Sequence, residues 1–195
     1  MLRRQLGLFR AAEVAFDASF AGLRRVDLAH GAWVEHVPGW VRGEGQLFDS
    51  LEASTRWRKE RMHMYEREVD VPRLIALLPD DGPGHPLLED MRAALSARYR
   101  EGFVRTSMAL YRDGRDSVAF HGDTTARDLL EACVATVSLG APRRLLLRPT
   151  EGGGRSLAFA RHSQGRRGGS THGGDVSSRM GQRLGPTRRA SAAAQ

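Results

Sequence analysis

His121 and Asp123 are separated by a single glycine, and that spacing is where chemistry is most readily built into this chain. On an extended backbone, residues two apart project from the same face. An imidazole nitrogen and a carboxylate oxygen side by side are two of the three ligands of a facial triad. Such a triad holds non-haem Fe(II) and leaves positions open for oxygen and a co-substrate. The same pair on a solvated turn would be unremarkable, since both residue types are usually exposed. The surroundings therefore decide. Asp113-Gly114 is a turn signal. The run Ser117–His121 alternates small or polar with apolar residues, which predicts a strand leading into the pair.

The full run Tyr111-Arg112-Asp113-Gly114-Arg115-Asp116-Ser117-Val118-Ala119-Phe120-His121-Gly122-Asp123-Thr124 resembles the iron-binding hairpin of the AlkB-like 2-oxoglutarate-dependent dioxygenases. The resemblance continues through Val134–Arg143 and Leu145–Pro149, covers about residues 20–160, and then stops. It implies a double-stranded β-helix, or jelly roll, with supporting N-terminal helices. It implies Fe(II) as metal, with 2-oxoglutarate and molecular oxygen as co-substrates, and oxidative removal of N-alkyl groups from nucleobases in DNA repair. His121 and Asp123 match the first two metal ligands, and Tyr111 matches the tyrosine that contacts the 2-oxoglutarate carboxylate. The plain alternative for Tyr111 is a core tyrosine. Trp57–Val71 resembles the substrate-recognition region, with Trp57, Arg58, His63 and Tyr65 as candidate substrate-binding residues. Arg56, Arg58, Lys59 and Arg61 suit phosphates. His63 or Tyr65 suits stacking on a base taken out of its helix. A solvated charged loop is the alternative for that segment.

The chain also departs from the family. Ala109 stands where many relatives carry Asn, and Thr124 and Thr125 stand where many carry an acid. The family's second iron-binding histidine and its 2-oxoglutarate-binding arginine follow the position of Gly165, and neither is recognisable. His162 and His172 do not match the third ligand. A reading-frame shift near residues 160–165 accounts for this loss, and the last strands of the jelly roll are expected to be missing. His30, His36 and His85 read as surface or turn histidines. Gly152-Gly153-Gly154 lacks the Lys-Ser/Thr of a phosphate loop and reads as a tight hairpin.

The elements that must position these residues are legible in part. Gln46–Ala53 sets Leu47, Phe48 and Leu51 on one helical face. Pro86–Arg100 is the clearest helix, with Leu88, Met91 and Leu95 as its stripe. Strands are expected at Ala32–His36, Val104–Tyr111, Ser117–His121, Ala132–Leu139, Arg144–Leu147 and Ser156–Phe159. Helices followed by strands predict an α+β domain.

The 195 residues fit one domain. The expected division is an N-terminal extension over 1–20, the dioxygenase-like domain over 21–160, and a basic disordered tail over 161–195. The tail carries seven arginines against Asp175, so it holds nearly all of the net charge of +7. Its Gly, Ser and Arg content offers little apolar surface to offset ordering entropy. No apolar run approaches the roughly 20 residues a membrane span needs. With no signal peptide and one cysteine, Cys133, read as a small buried residue, the expected location is cytoplasmic. The expected partner of this monomer is alkylated single- or double-stranded DNA, or RNA. The rival readings are a small-molecule oxygenase on the same fold and a degenerate barrel that binds nucleic acid through charge alone.

Overall fold

The computed structural model describes residues 13–28, 31–64, 67–120, 132–149, 157–160, 175–184 and 190–194. His121 and Asp123, the two expected metal ligands, and Tyr65 lie outside the described residues.

Two short antiparallel pairs open the chain. Strand β1 (Ala15–Phe16) pairs with β4 (Val41–Arg42), and β2 (Arg24–Asp27) pairs with β3 (Trp33–His36). Helix α1 (Glu44–Ser54) starts at Gly43, whose φ of 69° suits a residue without Cβ. Helix α2 (Pro86–Tyr99) begins with proline in its first turn, where the missing N–H costs nothing. His85 caps it, its Nδ1 accepting from the Leu87 N–H at 3.2 Å. The turn histidine expected from sequence is therefore a helix cap.

The main sheet is antiparallel, in the order β5 (Arg58–Met64), β6 (Arg67–Leu78), β7 (Thr106–Tyr111), β11 (Asp175–Leu184), β8 (Ala132–Gly140). A second, three-stranded sheet has β9 (Arg144–Pro149) between β10 (Leu157–Ala160) and β12 (Ala190–Ala194). The fold is thus α+β with antiparallel sheets.

Strand alternation gives the main sheet two unlike faces. Ala76 on β6, Met108 and Leu110 on β7, and Val137 and Leu139 on β8 join the principal core. The helices supply Leu47, Phe48, Leu51, Leu88, Met91 and Leu95 to the same core. The opposite face carries a small second cluster of Ala109, Tyr111 and Val118, with Val71 packed against it.

Three segments differ from the sequence expectations. The charged stretch after Trp57 is a long hairpin, β5–β6, with a register shift between Lys59 and Glu60. Its outer strand, β5, lies at the sheet edge and needs no apolar face, which is why periodicity misses it. Residues 117–120, expected as strand, carry no regular element. Ser117 N–H donates to the Pro72 carbonyl at 2.9 Å, and just before it the Asp116 side chain accepts from the Arg112 N–H. Finally, β11 and β12 occupy the stretch expected to be disordered, and they supply late strands where these were expected to be missing. Ladder bonds run through the backbone and do not need an apolar sequence. Register also sets Val176 between Leu110 and Leu139.

Candidate functional site around Tyr111

Tyr111 ends β7 on the face turned away from the helices, and only 3% of it is exposed. A buried phenol normally finds a hydrogen-bond partner, and here the partner is Arg73 of β6. The Arg73 Nη1–H donates to the Tyr111 hydroxyl oxygen at 3.4 Å. Arg73 is itself 7% exposed. Its charge is met by Glu60 of β5, whose Oε2 accepts from Nε at 2.6 Å. Burial disfavours the Arg73 charge, but the bond to Tyr111 and the Glu60 carboxylate outweigh it and hold the guanidinium above its ordinary pKa.

A second arginine covers the ring. The Arg143 guanidinium carbon lies 4.6 Å from the Tyr111 ring centroid, in cation–π range. The same group donates to the Asp116 carbonyl at 2.8 Å and to the Asp113 carbonyl. Arg143 thus ties the turn after β7 to the segment before β9. Asp116, 4% exposed, grips the turn from within. It accepts from the Arg112 backbone N–H and from the Arg112 Nε–H, each at 2.8 Å. The Arg112 contact holds the Asp116 carboxyl below the usual range against the opposing effect of burial. The Asp113-Gly114 turn expected from sequence is present, with Asp116 N–H donating to the Asp113 carbonyl at 3.3 Å. The Arg115 side chain pulls the Asp113 carboxyl down to about 2.

The arrangement is a buried phenol with a cation at its hydroxyl and another on its face. Because Arg73 donates to the phenol oxygen, the hydroxyl proton is left to donate elsewhere. That leaves Tyr111 suited to meet an acceptor such as a carboxylate.

The other candidates are dispersed. Trp57 packs against the principal core, and its indole N–H donates to the Glu52 carbonyl near the end of α1 at 3.0 Å. Arg58 is half-exposed on β5 and pairs with the buried Asp81. His63 stands opposite Glu68 in the β5–β6 register. Among the described residues, no group of three or more His, Cys, Asp or Glu side chains could hold a metal. His121 and Asp123, the metal ligands expected from sequence, lie outside the described residues. Sequence reasoning missed Glu60, Arg73, Asp116 and Arg143. A lone arginine inside the apolar run Val69–Leu78 was the available sign for Arg73. Arg143 closes the run Val134–Arg143, but nothing in that run marks its reach to Tyr111.

No family model matches the chain, and no curated protein matches it. Among solved structures, it is similar to an oxidoreductase of the 2OG-Fe(II) oxygenase family from Burkholderia pseudomallei. The TM-score is 0.38 and the identity 12%, over 89% of this chain and 84% of that one. A likeness of this size does not establish a shared fold and assigns no residue. No helix among the described residues is long and apolar enough to cross a membrane.

Proposed function

We propose that this chain carries the framework of an Fe(II)/2-oxoglutarate-dependent dioxygenase of the AlkB-like, nucleobase-dealkylating kind, built on a double-stranded β-helix. The observation that carries the reading is the setting of Tyr111. The residue matched to the co-substrate contact is buried on the face opposite the helices, with its hydroxyl against Arg73. In this reading His121 and Asp123 hold Fe(II), and Tyr111 donates its hydroxyl proton to a carboxylate of 2-oxoglutarate. Iron and co-substrate, when bound, supply the oxidation that frees an N-alkyl group as an aldehyde.

The chain's own residues do the positioning. Arg73 fixes the phenol oxygen, and Glu60 balances the Arg73 charge. Arg143 and Asp116 hold the turn that leads toward residue 121. The basic edge strand, with Arg58, Lys59 and Arg61, faces the phosphates of alkylated DNA or RNA. Phosphate contacts of this kind set orientation and do not read sequence. The proposed setting is a cytoplasmic monomer.

The proposed site is incomplete. No third ligand and no carboxylate-pairing arginine are recognisable in residues 161–195. A charge-assisted bidentate contact of that kind contributes on the order of 1.5–3 kcal/mol. The reading therefore includes little or no turnover by this chain and recovery when the frame is restored. The test is formaldehyde release from methylated single-stranded DNA with Fe(II), 2-oxoglutarate and ascorbate, run on both versions. Turnover by the restored version alone, abolished by His121→Ala, is expected. A folded but inert restored version would overturn the dealkylase reading. Robust turnover by the 195-residue chain, also abolished by His121→Ala, would overturn the incomplete site.

A further inference from the structure

A cavity of about 200 Å³ lies on the helix side of the main sheet, across that sheet from Tyr111. Trp33, Tyr99, Phe20 and Trp40 line it together with Leu95 and Val137. These rings are held in place by one another and by two arginines. Arg25 lies 4.7 Å over Trp33, and Trp33 stacks on Tyr99 at 5.8 Å. Arg98 covers both Tyr99 and Phe20, and Phe20 stacks on Trp40 at 5.4 Å. The Trp40 indole N–H is fixed by the Asp17 carbonyl at 2.7 Å. Walls tied at both faces and edges do not collapse readily, so the cavity is pre-formed. Preformed, mostly apolar concavities are where small ligands bind.

The charges around it select against ions. Glu35, in the wall, accepts from the Tyr99 hydroxyl at 2.8 Å and lies 3.4 Å from Arg98 and 3.5 Å from Arg25. A cation would find that carboxylate, and the aromatic faces beside it, already met by the chain's own guanidiniums. An anion would find those two guanidiniums already engaged by Glu35 and would be set against Glu44, also in the wall. An uncharged ring loses nothing to either and gains dispersion contacts that an empty void forfeits. It also gains the edge-to-face or offset geometry that aromatic pairs prefer.

We infer that this cavity binds a small, uncharged, single-ring aromatic compound, independently of any chemistry at Tyr111. The probe is p-cresol, titrated calorimetrically into the full chain at neutral pH. One saturable site is expected, with a dissociation constant of about 0.1–1 mM for so small a ligand. The anion p-toluate should bind at least roughly tenfold more weakly, a difference of about 1.4 kcal/mol. Ala135→Phe, which projects a ring into the cavity, should abolish saturation while leaving the fold cooperative. If that variant does not fold, Trp33→Leu decides, with affinity lowered by roughly fivefold or more, on the order of 1 kcal/mol. Absence of saturable heat with the parent chain overturns the inference. So does unchanged affinity in a folded Ala135→Phe or in Trp33→Leu, or equal binding of p-toluate.

Discussion

The two faces of the main sheet are held by different forces. On the helix side, Leu47, Leu51 and Met91 are fully buried, and Met108 and Leu139 are nearly so. Contacts there are non-directional, and stability follows the apolar area removed from water. On the Tyr111 side the apolar cluster is small, and position is set by Arg73, Glu60, Asp116 and Arg143 through directed bonds. A greasy face tolerates small shifts, whereas a guanidinium that must meet two carbonyls does not. The difference teaches where to look for chemistry. The helix face supplies stability, and the polar face supplies fixed atoms.

The largest effect should come from the helix face. Leu47→Ala removes a fully buried side chain between α1 and the sheet. It should cost about 2–5 kcal/mol, read as a fall in the urea midpoint with the slope unchanged. On the other face, Arg73→Met strands Glu60 and the Tyr111 hydroxyl. The cost should be smaller, about 2 kcal/mol, because Glu60 is partly exposed and can rehydrate. Adding Glu60→Gln should recover part of that loss, as expected when the penalty is an unpaired charge. If Arg73→Met proved costlier than Leu47→Ala, the division of labour between the faces would be wrong.

The smallest effect is a pH dependence beside the helices. Burial, reinforced by the Glu35 hydrogen bond, pushes Tyr99 up to about 12 from 10.0. The folded state therefore keeps its phenol proton where the unfolded chain has lost it. Stability from this group is fully present below pH 10 and is lost as pH rises toward 12. Tyr99 is half-buried, so the change should be no more than about 1 kcal/mol after solvent screening. Urea melts of the parent chain and Tyr99→Phe across this range should show a shallower slope for the variant. Identical slopes would place the alkaline sensitivity elsewhere.

What the sequence could tell follows the same division. Helix α2 was legible because Leu88, Met91 and Leu95 repeat at helical spacing and Pro86 marks the start. Helix α1 was legible through Leu47, Phe48 and Leu51. Tyr111 stood out through the motif it opens. Its surroundings did not, because Arg73 and Arg143 reach it from 38 and 32 residues away, beyond any local pattern. Strand β5 was hidden because Arg58-Lys59-Glu60-Arg61 has no apolar alternation. The strand expected at Ser117–His121 failed in its described part for the opposite reason. Alternation was present, but the Asp116 and Ser117 N–H groups bond to the Asp113 and Pro72 carbonyls and no strand forms over 116–120.

The position of β11 has a consequence for how the chain assembles. Strands β7 and β8 are not neighbours, since Asp175–Leu184 lies between them and pairs with both. A ribosome delivers both flanking strands well before the one that joins them. Until residues 175–184 emerge, each presents a row of unpaired backbone groups on its inner side. Sheets closed by such distant pairings fold slowly, and open edges attract strands from other chains.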